Sequence, residues 1–206
     1  MHHRLFTRFA ASLVLCLAAS AAVALDEAPD TMIKRLSDDV VGLAKDTAIA
    51  SGDASKIMDL VDTKVMPNVD FTRMTASAVG RTWRQATPEQ QLRLQQEFKT
   101  LLVRTYAGAL SQVKDLAITV KPLRAGASDT EVVVRTLIKG HGEPIQLDYR
   151  LEKSADGWKI YDLNVLGVWL VEAYRGQFLA EIQSKGIDGL IATLAARNNK
   201  SATKGS

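Results

Sequence analysis

The sequence is nearly bare of reactive groups. Its single cysteine, Cys16, and two of its three histidines, His2 and His3, all precede Leu25. From Leu25 onward there is no thiol for a disulfide, a nucleophile or a metal site. The remaining histidine, His141, stands between Gly140 and Gly142 in an expected exposed turn. A lone imidazole there has neither a second metal ligand nor an orienting acid. The chain contains no Walker-type glycine loop, no nucleophile elbow and no zinc-ligand spacing. It also lacks internal repeats and low-complexity linkers. These absences remove the commonest catalytic and metal-binding classes.

A broad charge excess is missing as well. Met1 to Arg8 carries Arg4 and Arg8 without an acid, Phe9 to Ala22 is apolar or small throughout, and Ala22-Val23-Ala24 has the form of a signal-peptidase site. This is the three-part pattern of a secretory leader over residues 1–24. The run is shorter than the roughly 20 apolar residues a spanning helix needs. Leu15 is too bulky for the residue ahead of a lipid-modified cysteine, so Cys16 reads as leader filler. Cleavage after Ala24 removes Arg4 and Arg8, so the formal charge of +3 falls to +1. A near-neutral chain has no broad electrostatic reason to bind nucleic acid, and no such partner is expected. No second run is long enough to cross a bilayer, so the mature chain is expected to be soluble. Residues 25–206 suit one domain with its own core.

What is present is patterned apolar surface. Met32, Leu36, Val40, Leu43 and Ala44 recur at helical spacing after Asp30-Thr31. Ser51-Gly52-Asp53 breaks that helix and caps a shorter one, and Asp70 caps another that carries Phe71, Met74, Ala78 and Val79. Thr87-Pro88-Glu89-Gln90 is a strong helix start with a capping box. The long helix after it, reaching about Val113, bears a stripe of Leu94, Phe98, Leu101, Leu102, Tyr106 and Leu110. The period then changes to two. Leu116/Ile118/Val120, Val132/Val134/Thr136/Ile138 and Ile145/Leu147/Tyr149/Leu151 alternate with polar or small residues, and Ser154-Ala155-Asp156-Gly157 turns into a strand over Trp158–Leu166. A helix is expected after Gly167, interrupted near Lys185-Gly186-Ile187-Asp188, with a frayed tail over 198–206. Helices followed by strands give an α+β fold: a helical N-terminal half and a four-stranded curved antiparallel sheet covered by helices, with an apolar pocket between them.

The densest apolar investment lies between Tyr149 and Phe178, which holds Trp158, Trp169, Tyr161 and Tyr174 beside almost no chemistry. Such a chain is better suited to holding a ligand than to converting one. Several landmarks along the chain also resemble a known family. They are Met66-Pro67-Asn68-Val69-Asp70-Phe71, Gly80-Arg81 with Trp83, the Thr87–Gln91 helix start, Tyr106, Gly157-Trp158-Lys159-Ile160-Tyr161-Asp162, Gly167-Val168, Tyr174-Arg175-Gly176-Gln177-Phe178 and Gly186-Ile187-Asp188-Gly189-Leu190. Their order and spacing resemble the MlaC, or toluene-tolerance, family of periplasmic phospholipid carriers. Many relatives place Glu before the Gly-Val pair and Ser after it. Leu166 and Trp169 stand there instead, a departure that bears on the shape of the pocket.

The resemblance implies a periplasmic shuttle that keeps acyl chains inside the protein and the head group near the surface. It implies exchange of lipid between an outer-membrane lipoprotein–porin complex and an inner-membrane ATP-driven transporter, which maintains outer-membrane asymmetry. No catalytic residue, cofactor or metal is expected beyond the carried phospholipid. At about 0.8 kcal/mol per buried methylene, a two-chain lipid avoids water by on the order of 20 kcal/mol, so its pocket must be deep and dry. The candidate lining is Phe71, Phe98, Leu102, Tyr106, Val132, Val134, Leu147, Tyr149, Leu151, Val165, Val168 and Tyr174. Each of these residues has plain core packing as its other reading. Arg81, Arg84 and Arg175 are candidates for a lipid phosphate. Two further classes stay open: a small cone-fold enzyme using Tyr161, Asp162 and Tyr106 as an acid–base site, and a periplasmic adaptor that carries no ligand.

Overall fold

A computed structural model describes residues 27–110, 116–126, 128–140 and 143–203. The expected leader, the His141 turn and the reach of the long helix to Val113 lie outside them. Helix α1 spans Pro29–Leu43, opened by Pro29, whose missing N–H costs nothing in a first turn. The short α2 (Thr47–Ala50) and α3 (Ala54–Leu60) follow. Asp53 caps α3, accepting from the N–H groups of Ser55 and Lys56 at 2.9 and 3.2 Å. Asp70 caps α4 (Phe71–Val79) through the N–H of Arg73 at 2.8 Å. Thr87 and Gln90 form the expected reciprocal box, at 3.0 and 3.2 Å, ahead of α5 (Pro88–Leu110).

The sheet is a sequential antiparallel meander of β1 (Ala117–Val120), β2 (Glu131–Lys139), β3 (Ile145–Ser154), β4 (Gly157–Val165) and β5 (Val168–Trp169). The expectation of four strands is corrected to five. Leu166 and Gly167 both have positive φ, 54° and 88°, and Val165 pairs with Val168. This tight two-residue turn sends the chain back as a strand before helix α6 (Leu170–Thr203) begins. α6 is broken at Gly186 (φ 73°), where the sequence predicts an interruption. Of the expected tail 198–206, residues 198–203 are helical and 204–206 lie outside the described residues. Asn198 is buried, donating to the carbonyl and carboxylate of Glu97 at 3.0 and 2.8 Å, and Arg104 donates to its carbonyl.

A β-bulge sets which residues face which way. Leu151 pairs with Ile160 but Arg150 pairs with Asp162, so Tyr161 is the extra residue. Without that slip, Ile160, Asp162 and Asn164 would share one face. With it, Ile160, Leu163 and Val165 stay on the apolar face and Tyr161, Asp162 and Asn164 lie on the other.

The apolar face is packed against α1. Val132, Val134, Tyr149, Leu151 and Ile160 are buried with Met32, Ile33 and Leu36. Leu43, expected to join that stripe, is instead among the exposed large apolar residues. Burial pushes the Tyr149 phenol up to about 12, so it stays neutral, with Ser37 and Thr136 as polar neighbours. A second core joins α4, α5 and α6 through Phe71, Met74, Leu94, Phe98, Phe178, Leu190 and Leu194. A third holds Ala44, Ile57, Leu60 and Val103, so α5 is buried on two sides.

The polar face is organised by arginines. Arg73 reaches Glu131 (2.6 Å) and Glu152 and stacks over Tyr161, its guanidinium 3.7 Å from the ring centre. Tyr161, part of the densest apolar stretch of the sequence, thus sits among charges. Leu151→Ala is expected to lower the unfolding free energy by about 2–5 kcal/mol, the usual range for a fully buried leucine. Chemical denaturation checks this, and a loss below about 1 kcal/mol contradicts the packing of α1 on the sheet.

Candidate functional site

A cleft of about 570 Å³ opens where α5, α6 and the end of the sheet meet. Leu101, Thr105 and Tyr106 form the α5 wall. Leu170, Ala173, Tyr174, Gln177 and Arg197 come from α6, and Val165, Leu166 and Val168 come from β4, β5 and the turn between them. Apolar side chains make most of the surface, and polar groups stand at Thr105, Gln177 and Arg197.

Two constructions hold these walls in place. The first is aromatic. Phe98 packs edge-on against Tyr174 (5.1 Å between centroids, 71°) and Phe178 (5.1 Å, 76°), with Phe71 tilted at 5.7 Å. Tyr174 therefore belongs both to the helical core and to the cleft. The second is a buried carboxylate. Asp162 is 2% exposed; one of its oxygens accepts the N–H groups of Leu163 (2.9 Å) and Val171 (3.1 Å), and the other accepts from Arg150 at 3.1 Å. Val171 lies in the first turn of α6, so the carboxylate caps that helix from the neighbouring strand. Arg150 in turn stacks over Trp169, 3.9 Å from the ring centre. Asn164 Oδ1 accepts from Gly167 N–H at 2.9 Å and fixes the turn.

The sequence candidates divide. Tyr106, Val165, Val168 and Tyr174 come together on the cleft. Phe71 and Phe98 lie behind it in the helical core, against which Leu102 packs. Val132, Val134, Tyr149 and Leu151 are covered by α1, and Leu147 packs partly buried on that cluster. Val132 also borders a second, charged cavity of about 410 Å³ lined by Arg124, Glu131 and Arg135. Arg81 and Arg84 are exposed on the 3-10 segment Gly80–Gln85 and do not line the cleft. Arg175 donates to the carbonyl of Ser77 at 3.0 Å and ties α6 to α4. The acid–base pair is not assembled on the cleft. Tyr161 donates to Glu131 at 3.3 Å and Asp162 is engaged as described, while Tyr106 alone of the three lines the cavity.

Leu101, Thr105, Leu170, Ala173, Gln177 and Arg197 complete the walls without having been lining candidates, and Leu166, marked only as a departure that bears on the pocket, joins them. Leu101 was on the α5 stripe. Arg197 adjoins the tail read as frayed, so nothing marked it. Its guanidinium lies 3.4 Å from Gln177 Oε1. Burial and the neighbouring Tyr174 push the Tyr106 phenol up, which keeps it uncharged in the cleft. Among the described residues there is no cluster of metal-ligating side chains, and no helix is long and apolar enough to cross a membrane.

Burial is the largest influence on Asp162 and holds its carboxyl above the ordinary aspartate value despite Arg150 and the two N–H donors. The folded chain therefore binds that proton more tightly than the unfolded chain. The resulting stabilisation is complete below the unfolded value of about 3.9 and is lost as pH rises through the raised folded value. Asp162→Asn removes this dependence. Unfolding free energies measured against pH are expected to improve for the variant relative to wild type as pH climbs through that window, and a difference independent of pH contradicts it.

The family model described as MlaC protein matches residues 34–196. The toluene tolerance protein ttg2D of Pseudomonas putida is 32% identical over 105 residues, which span 51% of this chain and 49% of that protein. The chain thus matches about half the length of that relative. The intermembrane phospholipid transport system binding protein MlaC of Haemophilus influenzae is 23% identical over 146 residues, 69% of this chain and 68% of that one. A phospholipid-binding protein from Ralstonia solanacearum, solved in complex with a phospholipid, superposes with a TM-score of 0.82 at 47% identity, covering 84% of this chain and 98% of its own. With the model matched across most of the chain, the protein belongs to the MlaC family.

Proposed function

We propose that the protein is a periplasmic phospholipid carrier. It holds acyl chains in the cleft between α5, α6 and the β4–β5 turn and keeps the head group at the rim. It shuttles lipid between an outer-membrane lipoprotein–porin complex and an inner-membrane ATP-driven transporter, and so maintains outer-membrane asymmetry. Residues 1–24 are its cleaved export signal and residues 25–206 its single lipid-binding domain.

The observation that carries this reading is the shared fold, at 47% identity, with a protein that was solved holding a phospholipid. The cleft supports it, since about 570 Å³ falls within the roughly 300–1,000 Å³ of ligand sites, and its lining is mostly apolar. The energetics set a condition on the role. A bound lipid leaves only for a site of lower free energy, so handover depends on a partner that opens the cleft or offers better cover. At the rim, Arg197 is the cation placed to meet a phosphate, with Gln177 beside it as a second polar contact.

Native mass spectrometry of the exported, untagged chain tests the reading. A phospholipid mass on the folded protein is expected, and a chain that arrives without lipid and takes none from phosphatidylglycerol vesicles overturns it. Arg197→Glu is expected to weaken retention of an anionic phospholipid by roughly five- to tenfold, the scale of reversing one rim charge. Arg84→Glu, away from the cleft, is expected to leave retention unchanged in the same vesicle assay.

A further inference from the structure

We infer that Leu166 is a ligand-contacting residue: the β4–β5 turn holds it at the mouth of the cleft as half of an apolar collar, with Val168, around the exposed part of a bound acyl chain. This rests on the carrier reading above and names a contact within the same site. Three observations meet at this residue. Leu166 and Val168 both line the cleft. Leu166 is the most exposed large apolar side chain among the described residues, at 68%, and Val168 is 54% exposed. Leu166 is also the only non-glycine among the described residues with a positive φ.

A lone exposed leucine needs no explanation. An exposed leucine held in the left-handed region does, because both its backbone and its side chain are disfavoured where they are. The turn has positive φ at both central positions, a geometry that Asn-Gly or Asp-Gly adopts with less strain. Leucine adds nothing to that turn. The turn is nonetheless well held: Gly167 N–H donates to Asn164 at 2.9 Å and Leu166 N–H donates to the carbonyl of Gln146 at 3.2 Å. The side chain is thus carried on a fixed mount beside an apolar wall. Backbone strain of this kind persists where a site uses it. An acyl chain lying in the cleft supplies the apolar partner that the fold does not give Leu166, and withdraws both surfaces from water together.

The test uses the exported protein, loaded with a pyrene-labelled phosphatidylglycerol and mixed with phosphatidylcholine vesicles, no other protein being present. Leu166→Asn is expected to release the labelled lipid roughly tenfold faster, the scale of losing about half of a buried leucine side chain. The same variant, delipidated, is expected to unfold at the wild-type temperature or above it, because asparagine tolerates the left-handed backbone. Release at the wild-type rate overturns the proposal. So does slower release, which would make Leu166 a membrane-docking side chain, and so does a lowered unfolding temperature, which would make it a packing residue. Ala173→Trp separates these failures from failure of the carrier reading. Ala173 is exposed on the α6 wall, so a tryptophan there obstructs the cleft without entering the core. If Ala173→Trp fails to load while Leu166→Asn behaves as wild type, only the Leu166 assignment falls. If Ala173→Trp loads normally, the lipid does not occupy this cleft, and both readings fall.

Discussion

A buried carboxylate decides where the cleft lies. Asp162 leaves water only because three donors meet it: two backbone N–H groups and the Arg150 guanidinium. Burying an unpaired carboxylate would be prohibitive, so the sheet, the start of α6 and Arg150 are held to one arrangement. That arrangement fixes the angle at which α6 leaves the sheet edge. Tyr174 then falls against Phe98, and the space left between α5, α6 and the β4–β5 turn is the cleft. Arg150 also stacks on Trp169, the last residue of β5 before α6 begins.

The apolar surface of the chain is divided unequally. Most of it is spent on three packed clusters, so the sheet face under α1 and the helical core behind Phe98 are filled by the protein itself. A smaller share, at the open end of the sheet, faces the cleft. This division fits the proposed carrier role. The walls of the cleft stand on α5 and α6, which the aromatic cluster of Phe98, Tyr174 and Phe178 holds together, and on one tight turn.

The helical caps were plain in the sequence because capping is local. Asp53, Asp70 and the Thr87/Gln90 pair act on N–H groups two or three residues away, and the structure places each as its spacing implies. The alternation of β2 and β3, the hairpin at Gly157 and the break at Gly186 are local in the same sense. The candidate walls were legible only in part. Tyr106, Val165, Val168 and Tyr174 reach the cleft, whereas Val134 and Leu151, apolar positions of alternating strands, lie beneath α1. Periodicity tells which face of a strand is apolar, but not what covers it.

By itself, then, the sequence determined the elements, their caps and the apolar faces, because these follow from backbone chemistry over a few residues. Three things were left to the tertiary structure. The slip at Tyr161 rotates Asp162 away from the apolar face, and it is a property of the β3–β4 pairing. The choice of α1 as the cover of the sheet is a competition among helices for one surface. The cleft is what remains after that competition, a volume bounded by residues from Leu101 to Arg197 that no local pattern connects. An enclosed space depends on distances between elements, and those distances are set only when the elements pack.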